Sequence, residues 1–221
     1  MLGGEGNPQG PIFFLSYARA RPSRTSPAGP RDVNQYVVRL FDDLSMHVDQ
    51  LVGSPTGVDP GFLDRSMEGG TRWAREVFAA VGTCHVFIPL ISSGYVDSKW
   101  CVMEWHAFSR RNVGPRPPAS PGSKTAILPV TWLPMEDAQL PHAVRELQFF
   151  LPQRLQDPDI AQRYLTDGVY GLLALNDEAA YQAVAWRLAR RIVDTFHAYL
   201  VEPWIPTDPG QLPQSFRDDG G

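Results

Sequence analysis

The chain has 221 residues, 43% hydrophobic and 20% charged, with a formal net charge of -4. That is enough apolar material for one full core, and the 20 basic residues are scattered instead of forming the cationic stripe that nucleic acid requires, so one domain with no nucleic-acid partner is expected. No apolar run approaches the ~20 residues of a membrane helix, and Met1 to Pro8 lacks the basic-then-apolar order of a signal peptide, so a cytoplasmic protein with no membrane partner is expected.

Residues 1–10 read as a flexible lead-in. The first strand covers 11–17, and an Arg/Pro/Ser-rich loop follows over 19–30. A helix resumes at Asp32, with Val33, Tyr36, Val37, Leu40, Phe41, Leu44, Val48 and Leu51 at three- and four-residue steps. A short second strand is expected around 61–64, then a loop over 65–70. The next helix starts at Thr71, carries Trp73, Ala74, Val77, Phe78 and Val81 on one side, and has Gly82 as a left-handed stop. The run 84–91 is the third strand and leads to a helix ending near Arg111, which the Gly/Pro-rich stretch 114–122 terminates. A fourth strand is expected over 126–132, short helices within 135–155, and a fifth strand over 169–175. From Asp177 a long helix presents Tyr181, Val184, Ala185, Leu188, Ile192, Val193, Phe196 and Tyr199 as one stripe. Residues 201–221 read as a loosely held, Pro-rich tail. Strands alternating with amphipathic helices predict an α/β domain over 11–200, with a five-stranded parallel sheet covered on both faces.

In such a sheet the ligand crevice opens at the carboxyl ends of the first and third strands, where the strand order reverses. Those ends are Ser16-Tyr17 and Ser92-Ser93. Just beyond the second lies Ser98-Lys99-Trp100-Cys101-Val102-Met103-Glu104, in which Ser98 is a good N-cap and Trp100 and Glu104 share a helical face. An aromatic ring and a carboxylate side by side suit a flat cationic ring joined to a sugar. Taken singly, a helix glutamate is more often solvated and a tryptophan more often core. Strand end, capped helix and aromatic partner converge on Glu104. Cys101 has no histidine placed to activate it and reads as a small buried residue. His106 falls on another face and is expected at the surface, while Trp73 and Tyr95 read as packing. Two cysteines and five dispersed histidines offer no disulfide framework or metal-ligand spacing, so no metal is expected. No G-x-G-x-x-G follows a strand, which disfavours NAD held as a redox cofactor.

These residues resemble a TIR domain. Phe13-Phe14-Leu15-Ser16-Tyr17 is similar to its first box, and Phe62-Leu63-Asp64 with Gly70 and Trp73 to its second strand and BB loop. Residues 86–92 with Tyr95, Ser98, Trp100-Cys101 and Glu104 resemble its third strand and W-C-x-x-E helix. Residues 167–172 and the long last helix resemble the actinobacterial variety called FxsC. The resemblance implies a flavodoxin-like three-layer α/β/α fold. In enzymatic members it implies cleavage of the nicotinamide–ribose bond of NAD+, with NAD+ as substrate and no cofactor. By position, Glu104 would be the catalytic carboxylate and Trp100 the ring facing nicotinamide or ribose. Ser16 and Tyr17 would line the pocket floor, and Asp64 with Arg65 would open the BB loop. That loop would close over substrate or mediate self-association or docking to other TIR domains. The chain departs from the family in reading Ala18-Arg19-Ala20-Arg21-Pro22 after Ser-Tyr, and Glu68-Gly69-Gly70 without the usual proline. These features also permit a non-catalytic interaction module in a bacterial signalling or defence system, or a hydrolase or transferase acting on another nucleoside or nucleotide through the same carboxylate.

Overall fold

The computed structural model describes residues 10–19, 34–53, 59–65, 71–116, 125–152 and 158–216. The lead-in, most of the Arg-rich loop and residues 66–70 of the BB loop lie outside them.

In chain order the elements are β1 (Phe13–Ser16), α1 (Gln35–Val52), β2 (Gly61–Leu63), α2 (Thr71–Thr83), β3 (Val86–Ile91), α3 (Ser93–Val96), α4 (Lys99–Ser109), β4 (Val113–Pro115), β5 (Val130–Thr131), α5 (His142–Arg145), α6 (Pro158–Ala174), α7 (Glu178–Ala198) and β6 (Tyr199–Val201). Four strands form a parallel sheet in the order β2-β1-β3-β5. The order reverses at β1 and β3, and the crevice expected there sits beyond Ser16 and Ile91.

Side chains alternate across these strands, so each face builds its own core. Phe13, Leu15, Val86, Ile88 and Leu90 pack beneath α1, α6 and α7, while Phe14, Phe87 and Ile91 meet α2 and α4. The helical stripe foreseen from Asp32 is there: Val37, Leu40, Phe41, Leu44 and Val48 are buried on α1, and Gly53 closes that helix with φ 67°. On α7 the buried residues include Tyr181, Val184, Leu188 and Ile192, and Tyr181 donates to Asp43 Oδ2 at 2.6 Å to tie the two helices together.

Expectations fail in three places. The stretch expected as a fifth strand is the second half of α6, in which Val169, Leu172 and Leu173 recur at helical spacing and are buried. A seven-residue apolar run fits either geometry, and here packing on β5 decides. The helix is kinked at Gly168, with φ 65° and ψ 178°, where an added Cβ would lie 2.4 Å from the Trp132 carbonyl oxygen. The next residue but one uses the kink, Tyr170 N–H donating to that same oxygen at 3.1 Å. Gly168→Ala is expected to destabilise the fold by about 3 kcal/mol, from left-handed backbone strain and the carbonyl contact together, read as a lower urea midpoint with an unchanged slope. The expected fourth strand is likewise shortened to Val130–Thr131 plus a bridge between Ile127 and Phe87.

The second failure is the tail. Residues 199–201 pair antiparallel with β4, Trp204 N–H donates to Gly82 O at 2.9 Å, Leu212 is buried, and the Phe216 ring meets Trp105 edge-on at 5.5 Å. Buried Arg111 fastens this segment to the domain, donating to the carbonyls of Val81, Cys84, Val201 and Glu202. Gly82 is therefore not a left-handed stop; it lies inside α2, and a Cβ there would come within 2.5 Å of Trp204 O. The third failure follows from the second. His106 is only 8% exposed, because the C-terminal segment covers the side of α4 that was expected to face water. No described helix is long and apolar enough to cross a membrane.

Candidate active site

Two serine caps in succession build the site. Ser92 accepts from Tyr95 N–H to start α3, and Ser98 accepts from Cys101 N–H to start α4, the cap foreseen from sequence. The first fixes Tyr95 over the end of β3, and the second directs Trp100 and Glu104 along one face of α4. That face looks into a cleft of about 300 Å³ lined by Ser16, Tyr17, Arg19, Asp64, Trp73, Ser98, Trp100, Cys101 and Glu104, with Leu15 at its base.

Glu104 is 3% exposed. Its Oε2 accepts a 2.5 Å hydrogen bond from the Ser16 hydroxyl, whose oxygen is 3.2 Å from the Tyr95 hydroxyl. Burial pushes the Glu104 carboxyl up to about 8; the Ser16 bond opposes this, the charge of Asp64 adds to it and that of Arg19 subtracts. The Trp100 indole N–H eases ionisation slightly, although no hydrogen bond closes from it to any described residue. A carboxyl in this state passes between acid and carboxylate near neutrality, a property expected of working groups and costly anywhere else.

Across the cleft Asp64 is held from two sides, by the Trp73 indole N–H at 2.7 Å and by Arg19 at 2.5 Å. Tyr17 adds a hydroxyl bond to the Asp64 carbonyl at 3.2 Å. Trp73 in turn stacks on Trp100, with centroids 4.4 Å apart and planes 20° from parallel, and Phe78 tilts against Trp100 at 5.3 Å. The aromatic wall is thus a pair of indoles, with the Arg19 guanidinium 5.8 Å from the Trp73 ring centre.

Of the residues singled out from sequence, Glu104, Trp100, Ser16, Tyr17 and Asp64 come together at the cleft. Arg65 does not. It turns to the other side of the strand, pairing with Asp42 at 2.5 Å and lying over the Phe41 ring at 5.2 Å, since successive residues after a strand point to opposite faces. Ser16 is 1% exposed and spends its hydroxyl on Glu104. Trp73, Arg19 and Tyr95 were missed as site residues. Trp73 carried a signal, as a large aromatic in the first turn after the BB loop, but its helical spacing equally fitted core. Cys101 lines the cleft with its thiol pushed up by burial and by Glu104, which leaves it un-ionised. Other clefts are larger, about 390 Å³ beside Arg187, Arg190 and Arg191 and about 630 Å³ beside Asp97 and His142. Neither contains a buried carboxylate, which is what distinguishes the Glu104 cleft. No group of three or more His, Cys, Asp or Glu suited to a metal ion occurs among the described residues.

The family model for the TIR domain matches residues 13–162, well over half of the chain and spanning every residue of the cleft. The chain belongs to the TIR family. The TIR domain is also 30% identical over 98 residues to a Brachypodium distachyon protein named probable 2' cyclic ADP-D-ribose synthase BdTIR. That alignment covers 43% of this chain and 38% of the plant protein, so the chain spans well under half the length of that relative. No solved structure matches the chain. The second half of α6, helix α7 and the docked C-terminal segment lie beyond the matched residues and pack onto the two cores of the domain.

Proposed function

We propose that this TIR domain cleaves the bond between nicotinamide and ribose in NAD+, which it consumes as a substrate. The observation that carries the reading is the buried Glu104 carboxyl at the base of a cleft walled by two stacked indoles, at the order reversal of the sheet. The cleft is at the small end of ligand sites, which suits the nicotinamide riboside half of the molecule and leaves the adenylate outside. The name of the plant relative, a synthase of a cyclised ADP-ribose, supports the same substrate class. The resemblance of residues 167–172 and of the long last helix supports kinship with the actinobacterial FxsC variety.

The chemistry follows from charge. Departure of nicotinamide takes the ring from cationic to neutral and leaves an oxocarbenium-like ribose, so no general acid is required. An ionised Glu104 about 5 Å from that cation, at an effective dielectric of ~20, stabilises it by roughly 3 kcal/mol, on the order of a hundredfold in rate. The nicotinamide ring arrives with its own positive charge, which favours the carboxylate form of Glu104 and so readies it on binding. Self-association through the BB loop would then complete the outer wall around the adenylate.

The test is release of free nicotinamide from NAD+ by the purified protein over a range of concentrations, with and without a crowding agent. Turnover is expected to rise more steeply than protein concentration. In the free enzyme Glu104 is ionised only above about 8, so kcat/KM is expected to climb tenfold per pH unit below that value and level off above it. Absence of nicotinamide at every concentration would leave the interaction module as the reading.

A further inference from the structure

We infer that Tyr95 and Ser16 are positioning residues for Glu104, a buried relay of two hydroxyls that fixes one carboxylate oxygen and favours its ionised form. The inference rests on Glu104 being the reacting carboxylate of the proposed function. The three members come from three elements: Ser16 from the last position of β1, Tyr95 from α3 and Glu104 from α4. Such a contact exists only in the folded domain.

The direction of the relay follows from counting protons. A serine hydroxyl has one, and an ionised Glu104 can only accept, so Ser16 gives its proton to the carboxylate at 2.5 Å and keeps its lone pairs for a donor. The Tyr95 hydroxyl, 3.2 Å away, is that donor. Tyr95 is wholly buried, and Ser16 is the only hydrogen-bond partner of its hydroxyl among the described residues. A phenylalanine would fill the same space without the cost of burying a hydroxyl, so packing alone does not account for the tyrosine. Pointed this way, both hydroxyl dipoles stabilise negative charge on Glu104, and each polarises the next.

The other charged or titratable groups facing Glu104 are few. Asp64, after β2, disfavours its ionisation; Arg19, after β1, favours it. Tyr17 lines the same cleft. Cys101 on α4 and Tyr95 itself are pushed up by burial and stay neutral while Glu104 titrates. The Ser16 bond is the main contact opposing the burial of the charge, and the Tyr95 hydroxyl behind it orients that serine.

The experiment labels glutamate side chains with carbon-13 at the carboxyl and follows the Glu104 resonance, identified by its absence from Glu104→Gln, through a pH titration of the full chain. Tyr95→Phe and Ser16→Ala are compared with the unaltered protein, each first checked for native backbone chemical shifts. The Glu104 midpoint is expected to rise by about one pH unit in Ser16→Ala and by a smaller amount in Tyr95→Phe. At pH 7, kcat/KM for nicotinamide release falls correspondingly, about tenfold in Ser16→Ala, and the pH at which the profile levels off moves with the midpoint. A folded Tyr95→Phe and a folded Ser16→Ala that both titrate at the unaltered midpoint overturn the relay, whatever their activity. If the unaltered protein releases no nicotinamide, the titration still decides the relay, and only the proposed function fails.

Discussion

Glu104→Gln is expected to lower nicotinamide release from NAD+ by about a hundredfold or more while leaving the fold in place. The amide keeps the shape of the side chain and can still meet Ser16 Oγ, now as donor or acceptor, so the cleft persists. What is lost is the negative charge opposite the developing ribosyl cation. The effect therefore falls on kcat more than on KM, because that charge is needed most after the bond has begun to break. Steady-state release measured above pH 8, where the native carboxyl is ionised, gives the largest contrast. At pH 6 the native protein is itself mostly protonated at this position, and the two forms draw together.

The same substitution is expected to stabilise the protein. Burial holds the Glu104 carboxyl at about 8, against an ordinary value of 4.5. Between those two values the folded chain holds a proton that the unfolded chain has released, so folding is favoured at low pH and loses stability as pH rises through this window. The loss approaches 1.4 kcal/mol per pH unit and levels off above about 8. Glutamine has no proton to lose. Glu104→Gln should match the native protein near pH 4.5 and exceed it by on the order of 3 kcal/mol at pH 7, read from urea unfolding at the two pH values. Parallel pH dependences in the two proteins would show that the carboxyl is ordinarily solvated. A site residue that weakens the fold which holds it is the usual exchange of stability for function.

Local rules made much of this legible before the fold was known. Ser98 is a capping residue three places before a buried run, and its cap directs Trp100 and Glu104 to one side. The order reversal at β1 and β3 then brings Ser16 to the same spot, as the pattern of parallel strands required. What stayed hidden depends on contacts distant in sequence. Trp73 becomes part of the site only because α2 packs on α4, which sets its indole on Trp100 and its N–H on Asp64. Tyr95 looked like packing because a tyrosine and a phenylalanine read alike in a periodicity, and only the 3.2 Å approach to Ser16 distinguishes them. Arg65 shows the opposite error, since adjacency to Asp64 in the chain places it on the far side of the strand. The segment 169–175 and the proline-rich end misled for a shared reason. Apolar runs and prolines mark where regular structure starts or stops, whereas a glycine kink and a buried arginine decided what these segments pack against.

The most direct test of the central claim is a structure of the domain with an NAD+ analogue in which the oxygen of the nicotinamide-side ribose ring is replaced by carbon, so that the bond survives. The nicotinamide ring should lie in the cleft between the Trp73–Trp100 pair and Glu104, with a Glu104 carboxylate oxygen about 5 Å or less from the anomeric carbon. An analogue bound elsewhere on the domain, or seated with its ribose turned away from Glu104, would contradict it.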